Sequence, residues 1–412
     1  MTSVYLGTYK TQYMVFSKIV INYFAILLFL LLSCEDSTKK ENNLQSKETA
    51  EIKSAEPEYS YKGEPLRVAI IGLTHDHVHW ILGREKYGDI EIVGIVEPNR
   101  QLAEKHGKQY GYSMDLVFNT MEAMMEVVKP EAVMAFNAIF GHLEVVEYFA
   151  PKGIHIMVEK PLAVNLDHAK KMIALAEKHE VQLMTNYETS WYGSSYKAFD
   201  LVHKERKFGD IRKIVFNTGH PGPIEIGCSK EFVAWLTDPK LNGAGALNDF
   251  GCYGANLATW LMKGETPLTV SSITQTIKPD LYPHVDDDAT IILTYPKTQV
   301  VIQASWNWSH NRKDMAVYGT NGYVYCKNGE DMEVLEDEKA GPYSKKAEPL
   351  AKGIHDPFAY FTKVIKEGLP TQPFSLSSLD NNLIVMQILE AAKHASKTGE
   401  TVVWDEFFTS QP

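Results

Sequence analysis

Apolar and polar positions divide the chain into stretches of two different periods. "LRVAIIG" (66–72), "IEIVGIVEPN" (90–99), "PEAVMAFNA" (130–138), "HIMVEKP" (155–161) and "QLMTNYE" (182–188) are short apolar runs rich in branched residues. This is the pattern of strands buried on both faces. Between them, "RQLAEKHGKQYG", "MEAMMEVV", "HLEVVEYFAPKG" and "LDHAKKMIALAEKHEV" place apolar residues at helical spacing. Alternation of this kind predicts an α/β Rossmann domain with a doubly wound parallel sheet, closing near Asn186. Past Tyr196 the period changes. "IRKIVFNTG", "LTVSSITQTI", "DATIILTYP", "TQVVIQASWNW" and "KDMAVYGTNGYVYC" follow in series with few helices between them. They predict an α+β domain with a mostly antiparallel sheet, in which Pro296 and Lys297 join two strands as a hairpin. "SLDNNLIVMQILEAAKHASKTGETVVW" predicts one amphipathic helix, a stop at Gly399 and a short strand.

The amino-terminal stretch has neither period. An apolar run over 19–33 follows Lys18 and ends at Cys34. It is shorter than the roughly 20 residues that span a bilayer and fits a signal peptide. "LLSC" resembles a lipobox, so residues 1–34 are expected to be a lipoprotein signal with Cys34 as the lipidated residue. Residues 35–63 are polar and charged and are expected to form a disordered tether. The expected domains are then 64–186 (Rossmann), 187–350 (α+β, substrate and oligomerisation) and 351–412 (helix and strand packing back on the core). The expected location is the bacterial cell envelope, with membrane contact through the lipid anchor only. No twin-arginine pair precedes the apolar run, which implies export of an unfolded chain.

Charge and cysteine content narrow the function classes. A formal net charge of −11 argues against nucleic acid as a partner. The four cysteines, Cys34, Cys228, Cys252 and Cys326, are widely spaced and form no CxxC pair, so neither a disulfide framework nor a zinc site is suggested.

Glu159-Lys160-Pro161 at a strand end lies about ninety residues after a glycine-ended first strand. Together with His142, "GAGALNDFGCYGAN" (243–256), "YGTNGYV" and the tail "AAKHASKTGETVVW", it resembles the Gfo/Idh/MocA oxidoreductases from about Leu66 to Trp404. The resemblance implies a Rossmann domain followed by a large open sheet, a nicotinamide cofactor (NAD, with NADP possible), a sugar or glycoside substrate and a homo-oligomer. It also implies that Lys160 lies between nicotinamide and substrate. A D-x-G-x-H segment usually supplies the acid/base, and here it reads Asp249, Phe250, Gly251, Cys252, Tyr253. Tyrosine at that place is similar to the subgroup of glucose-fructose oxidoreductase and dimeric dihydrodiol dehydrogenase. Lys160 and Tyr253 are therefore the expected catalytic pair, with Lys160 easing ionisation of the phenol and Asp249 orienting the sugar or Lys160. Asn137, His142 and Glu159 join the expected cofactor site. Aromatic rings suit the apolar faces of sugars, so Tyr187, Trp191 and Trp235 are candidate substrate contacts, with His220 and Glu188 for hydroxyls.

The loop "IIGLTHDHVHW" departs from Gly-x-Gly-x-x-Gly, because only Gly72 is kept and Thr74 and His77 stand at the second and third positions. A metal site is not expected: with a helix starting near His75, only His75 and His79 would share a face. A degenerate working loop is expected instead, in which Thr74 caps the helix, Thr74 and His75 bond phosphate, and Asp76 competes for the amides. Glu97, at the end of the second strand, suits the adenosine ribose of NAD, while Arg100 keeps NADP open. An exported unfolded chain leaves the cytosolic cofactor pool behind. Three expectations follow: a tightly held and recycled dinucleotide, redox-assisted glycoside cleavage, or a non-catalytic carbohydrate-binding lipoprotein.

Overall fold

The computed structural model describes residues 59–409. The lipobox, Cys34 and most of the tether lie outside the described residues. Among the described residues no helix is long and apolar enough to cross a membrane.

Two sheets organise the chain. The first holds six strands: β1 Leu66–Ile71, β2 Ile90–Val96, β3 Val117–Phe118, β4 Ala132–Ala135, β5 His155–Glu159 and β6 Leu183–Asn186. Their order is β3-β2-β1-β4-β5-β6 with every pairing parallel. The order reverses between β1 and β4, so a crevice opens at the carboxyl ends of these two strands, where doubly wound sheets take their ligands. β3, only two residues long, has no period to read in the sequence.

The second sheet holds nine strands in the order β14-β13-β12-β11-β7-β10-β9-β8-β15. They are β7 Ile211–Gly219, β8 Thr269–Gln275, β9 Asp288–Thr294, β10 Gln299–Ser305, β11 Arg312–Gly319, β12 Tyr323–Cys326, β13 Asp331–Leu335, β14 Tyr343–Lys346 and β15 Val402–Val403. All neighbours are antiparallel except β7 and β10. The hairpin at Pro296 and Lys297 forms, with Thr294 opposite Gln299. Several elements were not in the sequence reading: β13 and β14 form an extra hairpin, Pro357–Lys366 is a further helix, and a sixteen-residue helix, Ala246–Leu261, lies across the sheet.

That helix is held unusually close to the strands beneath it. A Cβ at Gly254 would meet the Ile302 side chain at 2.5 Å, and one at Gly251 would meet Ile291 at 3.2 Å. The close approach fixes the helix's rotation, with Asp249 and Lys160 brought together across the boundary between the two sheets. The helix start is equally constrained. The Asp286 carboxylate accepts from the Gly245 and Leu247 amides at 2.8 and 2.7 Å, and a Cβ at Gly245 would overlap the Asp286 carbonyl. From the carboxyl end of the chain, the helix Pro357–Lys366 buries Phe358 and Phe361 against the first sheet. The helix Leu379–Thr398 packs on both Ala246–Leu261 and β8, ends at left-handed Gly399, and leads into β15.

Removing the Asp286 carboxylate leaves two helix-terminal amides without a partner. Asp286→Ala is expected to lower stability by about 1–2 kcal/mol, read from the midpoint of urea unfolding at unchanged slope.

Candidate active site

Lys160 follows β5 directly and is only 4% exposed. Its ammonium pairs with the Asp249 carboxylate and donates to the Asp249 carbonyl at 3.1 Å. The Trp306 indole donates to the other carboxylate oxygen at 2.9 Å. Burial opposes charge on both partners, yet their mutual attraction outweighs it: Lys160 is held above its ordinary value and Asp249 below. An ammonium has three donors and Asp249 takes two, leaving one for a substrate oxygen. Asp249 thus orients Lys160, one of the two roles expected for it.

Tyr253 lies one turn further along the helix. Its ring centroid is 5.2 Å from the Lys160 ammonium and 5.6 Å from that of Lys313. The ring stacks on Phe250 and meets the edge of Tyr187. Among the described residues its hydroxyl has no hydrogen-bond partner. The expected easing of its ionisation is not found. Burial pushes the phenol well above its ordinary value, and the nearby Glu188, Asp249 and Glu159 carboxylates push the same way. The Lys160 charge is already spent on Asp249, so Tyr253 is a neutral hydroxyl across the physiological range.

The expected substrate residues separate. His220 reaches the site: its ring meets the edge of Phe250, its Nδ1 accepts from the Gly222 amide at 3.0 Å, and burial lowers it to about 4. Glu188 pairs with Lys313 at 2.9 Å and accepts from the Tyr192 hydroxyl. Trp191 donates to Asn186 at 3.0 Å and packs on Tyr360. Tyr187 does not reach the site. It is fully buried, with its hydroxyl donating to Asn382 at 3.0 Å, because it supports Tyr253 from behind. Trp235 is also buried and donates to the Thr74 carbonyl at 3.2 Å, covering the glycine-poor loop. Lys313 was not singled out from the sequence, since it sits in an ordinary strand context, and Trp306, just after β10, lies in a stretch read as sheet-edge packing or dimer contact rather than as part of the site.

The loop after β1 is rebuilt around its histidines. Gly72 adopts φ +81, and a Cβ there would meet Asn137 at 2.7 Å, so the first glycine's role is kept. The helix begins only at Val78, with no side-chain cap, so Thr74 does not cap it. The Asp76 carboxylate accepts from the Ser229 amide at 2.9 Å and so does not compete for the loop amides. Because residues 75–77 form a turn rather than a helix, the opposite-face argument against a metal fails. His75, His77 and Glu159 place donor atoms within 4.8 Å of one another. His77 Nδ1 lies 2.8 Å from Glu159, and His75 is wholly buried and held well below its ordinary value by burial and by His77. Three loop amides are already used: Leu73 by Glu97 at 2.9 Å, His75 by the Phe136 carbonyl and His77 by the His75 ring.

A crevice of about 410 Å³ lies at the switch point, bounded by Gly72, Thr74, Asn137 and three carboxylates, Glu97, Glu122 and Glu144. Its position and the retained Gly72 fit a dinucleotide. The buried Asn137 Oδ1, which has no partner, adds an acceptor at its wall. Glu97 is 3% exposed, with its second oxygen accepting from the Asn99 amide. Arg100 pairs with Glu104 at 3.1 Å on the surface. His142 is buried, its Nδ1 facing the Leu162 carbonyl at 3.1 Å, and burial lowers it to about 4.

The buried ion pair sets a stability prediction. Asp249→Ala, which strands the Lys160 ammonium, is expected to cost about 3–5 kcal/mol in urea unfolding, and Asp249→Ala with Lys160→Met less than that single change. The pair's contribution from Asp249 is present above the ordinary value of 3.8 and is lost as pH falls through its lowered folded value. The contribution from Lys160 is present below 10.5 and is lost as pH rises through its raised folded value. The difference between wild type and the double variant should therefore stay flat across the neutral range.

Comparison with known proteins agrees with this geometry. Residues 66–187 match the oxidoreductase family with an NAD-binding Rossmann fold, and residues 198–325 match the Gfo/Idh/MocA carboxyl-terminal domain. A D-xylose 1-dehydrogenase (NADP(+)) of Haloarcula marismortui is 22% identical over 83% of this chain and 94% of its own length. A D-glucoside 3-dehydrogenase of Escherichia coli is 32% identical, over 48% of this chain and 54% of that protein. Among solved structures, an aldose-aldose oxidoreductase from Caulobacter crescentus shares the fold with a TM-score of 0.67 at 23% identity, covering 82% of this chain and 99% of that one. The chain belongs to the Gfo/Idh/MocA oxidoreductases, NAD(P)-dependent enzymes that act on alcohols.

Proposed function

We propose that this protein oxidises or reduces a hydroxyl of a sugar or glycoside, with Lys160 and Tyr253 binding the reacting oxygen and NAD held in the switch-point crevice. The observation that carries the reading is the Lys160 ammonium, fixed by Asp249 with one donor free beside the unpartnered Tyr253 hydroxyl. Two donors converging on one oxygen stabilise the negative charge that grows there as a carbonyl and an alcohol interconvert. Phe250, Trp191 and the Glu188–Lys313 pair supply an apolar face and polar groups of the kind that hold sugars. A bound dinucleotide accepts or returns the hydride.

Gly72, Thr74, Asn137 and Glu97 are the residues that would hold the dinucleotide. Three carboxylates around the crevice and an Arg100 engaged with Glu104 favour NAD over the extra phosphate of NADP. D-xylose, glucosides and inositols, acted on by relatives, are the substrates to screen first. The proposed setting is the cell envelope, on a lipid at Cys34, as an oligomer with its cofactor retained between cycles. A non-catalytic carbohydrate binder is the second reading, favoured by the three loop amides that the loop itself consumes.

Denaturing the purified protein is expected to release nicotinamide dinucleotide, chiefly NAD, identified by mass spectrometry. Tyr253→Phe is expected to slow turnover about 10²-fold while leaving that dinucleotide bound. A protein that neither releases nor binds NAD(H) or NADP(H) is the binder.

A further inference from the structure

We infer that His77, oriented by Glu159, is the proton acceptor of this cleft. The inference rests on the hydroxyl oxidation proposed above.

Glu159 is held from two sides. Its Oε1 accepts from Asn186 Nδ2 at 2.8 Å, and Asn186 is itself fixed because its Oδ1 accepts from the Trp191 indole at 3.0 Å. Its Oε2 faces His77 Nδ1 at 2.8 Å. The Glu159 side chain is 1% exposed and that of His77 20%. With Glu159 accepting from His77 Nδ1–H, the lone pair of the ring is left on Nε2. Stacking on Trp80, with centroids 3.7 Å apart, holds the ring in place. A carboxylate behind an imidazole fixes its tautomer and stabilises the cation formed when the open nitrogen takes a proton.

Four other groups of the site, His75, His220, Lys160 and Tyr253, and the buried His142 do not offer this arrangement, and Glu188 is engaged by Lys313 and by the Tyr192 hydroxyl. His75 and His220 each accept a backbone amide on Nδ1, so their Nε2 atoms carry the proton and offer no lone pair. His142 is fully buried. Lys160 is held as an ammonium by Asp249, and Tyr253 is kept protonated by its burial. His77 alone among these has an accessible ring nitrogen backed by a carboxylate. Its surroundings are Glu159, Glu188 and His75.

In the step assigned to it, the substrate hydroxyl proton would pass to His77 Nε2, while a bound oxidised nicotinamide dinucleotide would supply the acceptor for the carbon's hydride. The C–O bond becomes a carbonyl beside Lys160, and the imidazolium returns its proton to solvent. The acid/base function thus moves from the second domain, where Tyr253 stands, to the loop position that normally holds a glycine. A divalent cation on His75, His77 and Glu159 is the competing occupant. It would require His75 to give up either its amide bond or its ring proton.

The test uses the full chain in detergent. NMR with nitrogen-labelled histidine is expected to show His77 as the Nδ1–H tautomer, and Glu159→Gln to abolish that preference. With whichever screened sugar turns over, His77→Ala is expected to lower kcat about 10²–10⁴-fold with NADH binding unchanged, and added imidazole to restore part of the loss. An Nε2–H tautomer, or full turnover in His77→Ala, overturns the inference. So does one equivalent of bound Zn²⁺ or Mn²⁺ that His77→Ala releases and whose removal abolishes turnover. Failure of the wild type to bind NADH would instead sink the proposed function, while the tautomer measurement still decides the geometry.

Discussion

The contact between Lys160 and Asp249 joins the two sheets at the place where chemistry is expected. Lys160 follows the fifth strand of the parallel sheet, and Asp249 lies in the first turn of the helix on the second sheet. Both are nearly removed from water, so each is tolerable only while the other is present. Neighbouring features serve that condition. Gly251 and Gly254 let the helix approach its strands, Asp286 caps the start of the helix, and Trp306 satisfies the remaining carboxylate oxygen. A buried ion pair costs stability relative to an apolar contact of the same shape. What it supplies is a cation of fixed direction at the boundary between the two sheets.

The same economy of partners explains the loop. Replacing two glycines with Thr74 and His77 removes backbone freedom, and the chain responds by turning its amides inward, onto Glu97, the Phe136 carbonyl and the His75 ring. Trp235 and Asp76 tie this loop to the segment 229–235 of the second domain. The loop's conformation therefore depends on the second domain as well as on the first sheet.

The alternation of apolar strands and amphipathic helices made the parallel sheet legible in the sequence, and the later series of strands made the second sheet legible. The helix Ala246–Leu261 was not among the elements read from the apolar pattern; Gly245 stands at its start and Gly251 and Gly254 within it. They are there for close packing, which only tertiary structure reveals. Lys160, Asp249 and His220, all singled out from the sequence, lie near one another in the structure. Tyr187 and Trp235 pack away from them, and an aromatic residue that packs and one that binds sugar have the same local pattern. The histidine loop misled for a different reason: face arguments assume a helix, and residues 75–77 are a turn, which brings neighbours two apart into contact.

Two kinds of charge are thereby kept apart across one strand end. Lys160 and Asp249 hold each other ionised, so neither is available to carry a proton through a cycle. Glu159, one residue earlier, faces a histidine whose other nitrogen is open. Successive residues leaving a strand point to opposite sides, so Glu159 and Lys160 serve different partners without competing. In the proposed reaction a fixed cation holds the oxygen while a separate group takes the hydroxyl proton as hydride leaves the carbon, and these tasks conflict if one group must do both. The adjacent residues Glu159 and Lys160 hold the two groups apart through separate partners, His77 and Asp249, so the proposed reaction does not require Tyr253 to ionise.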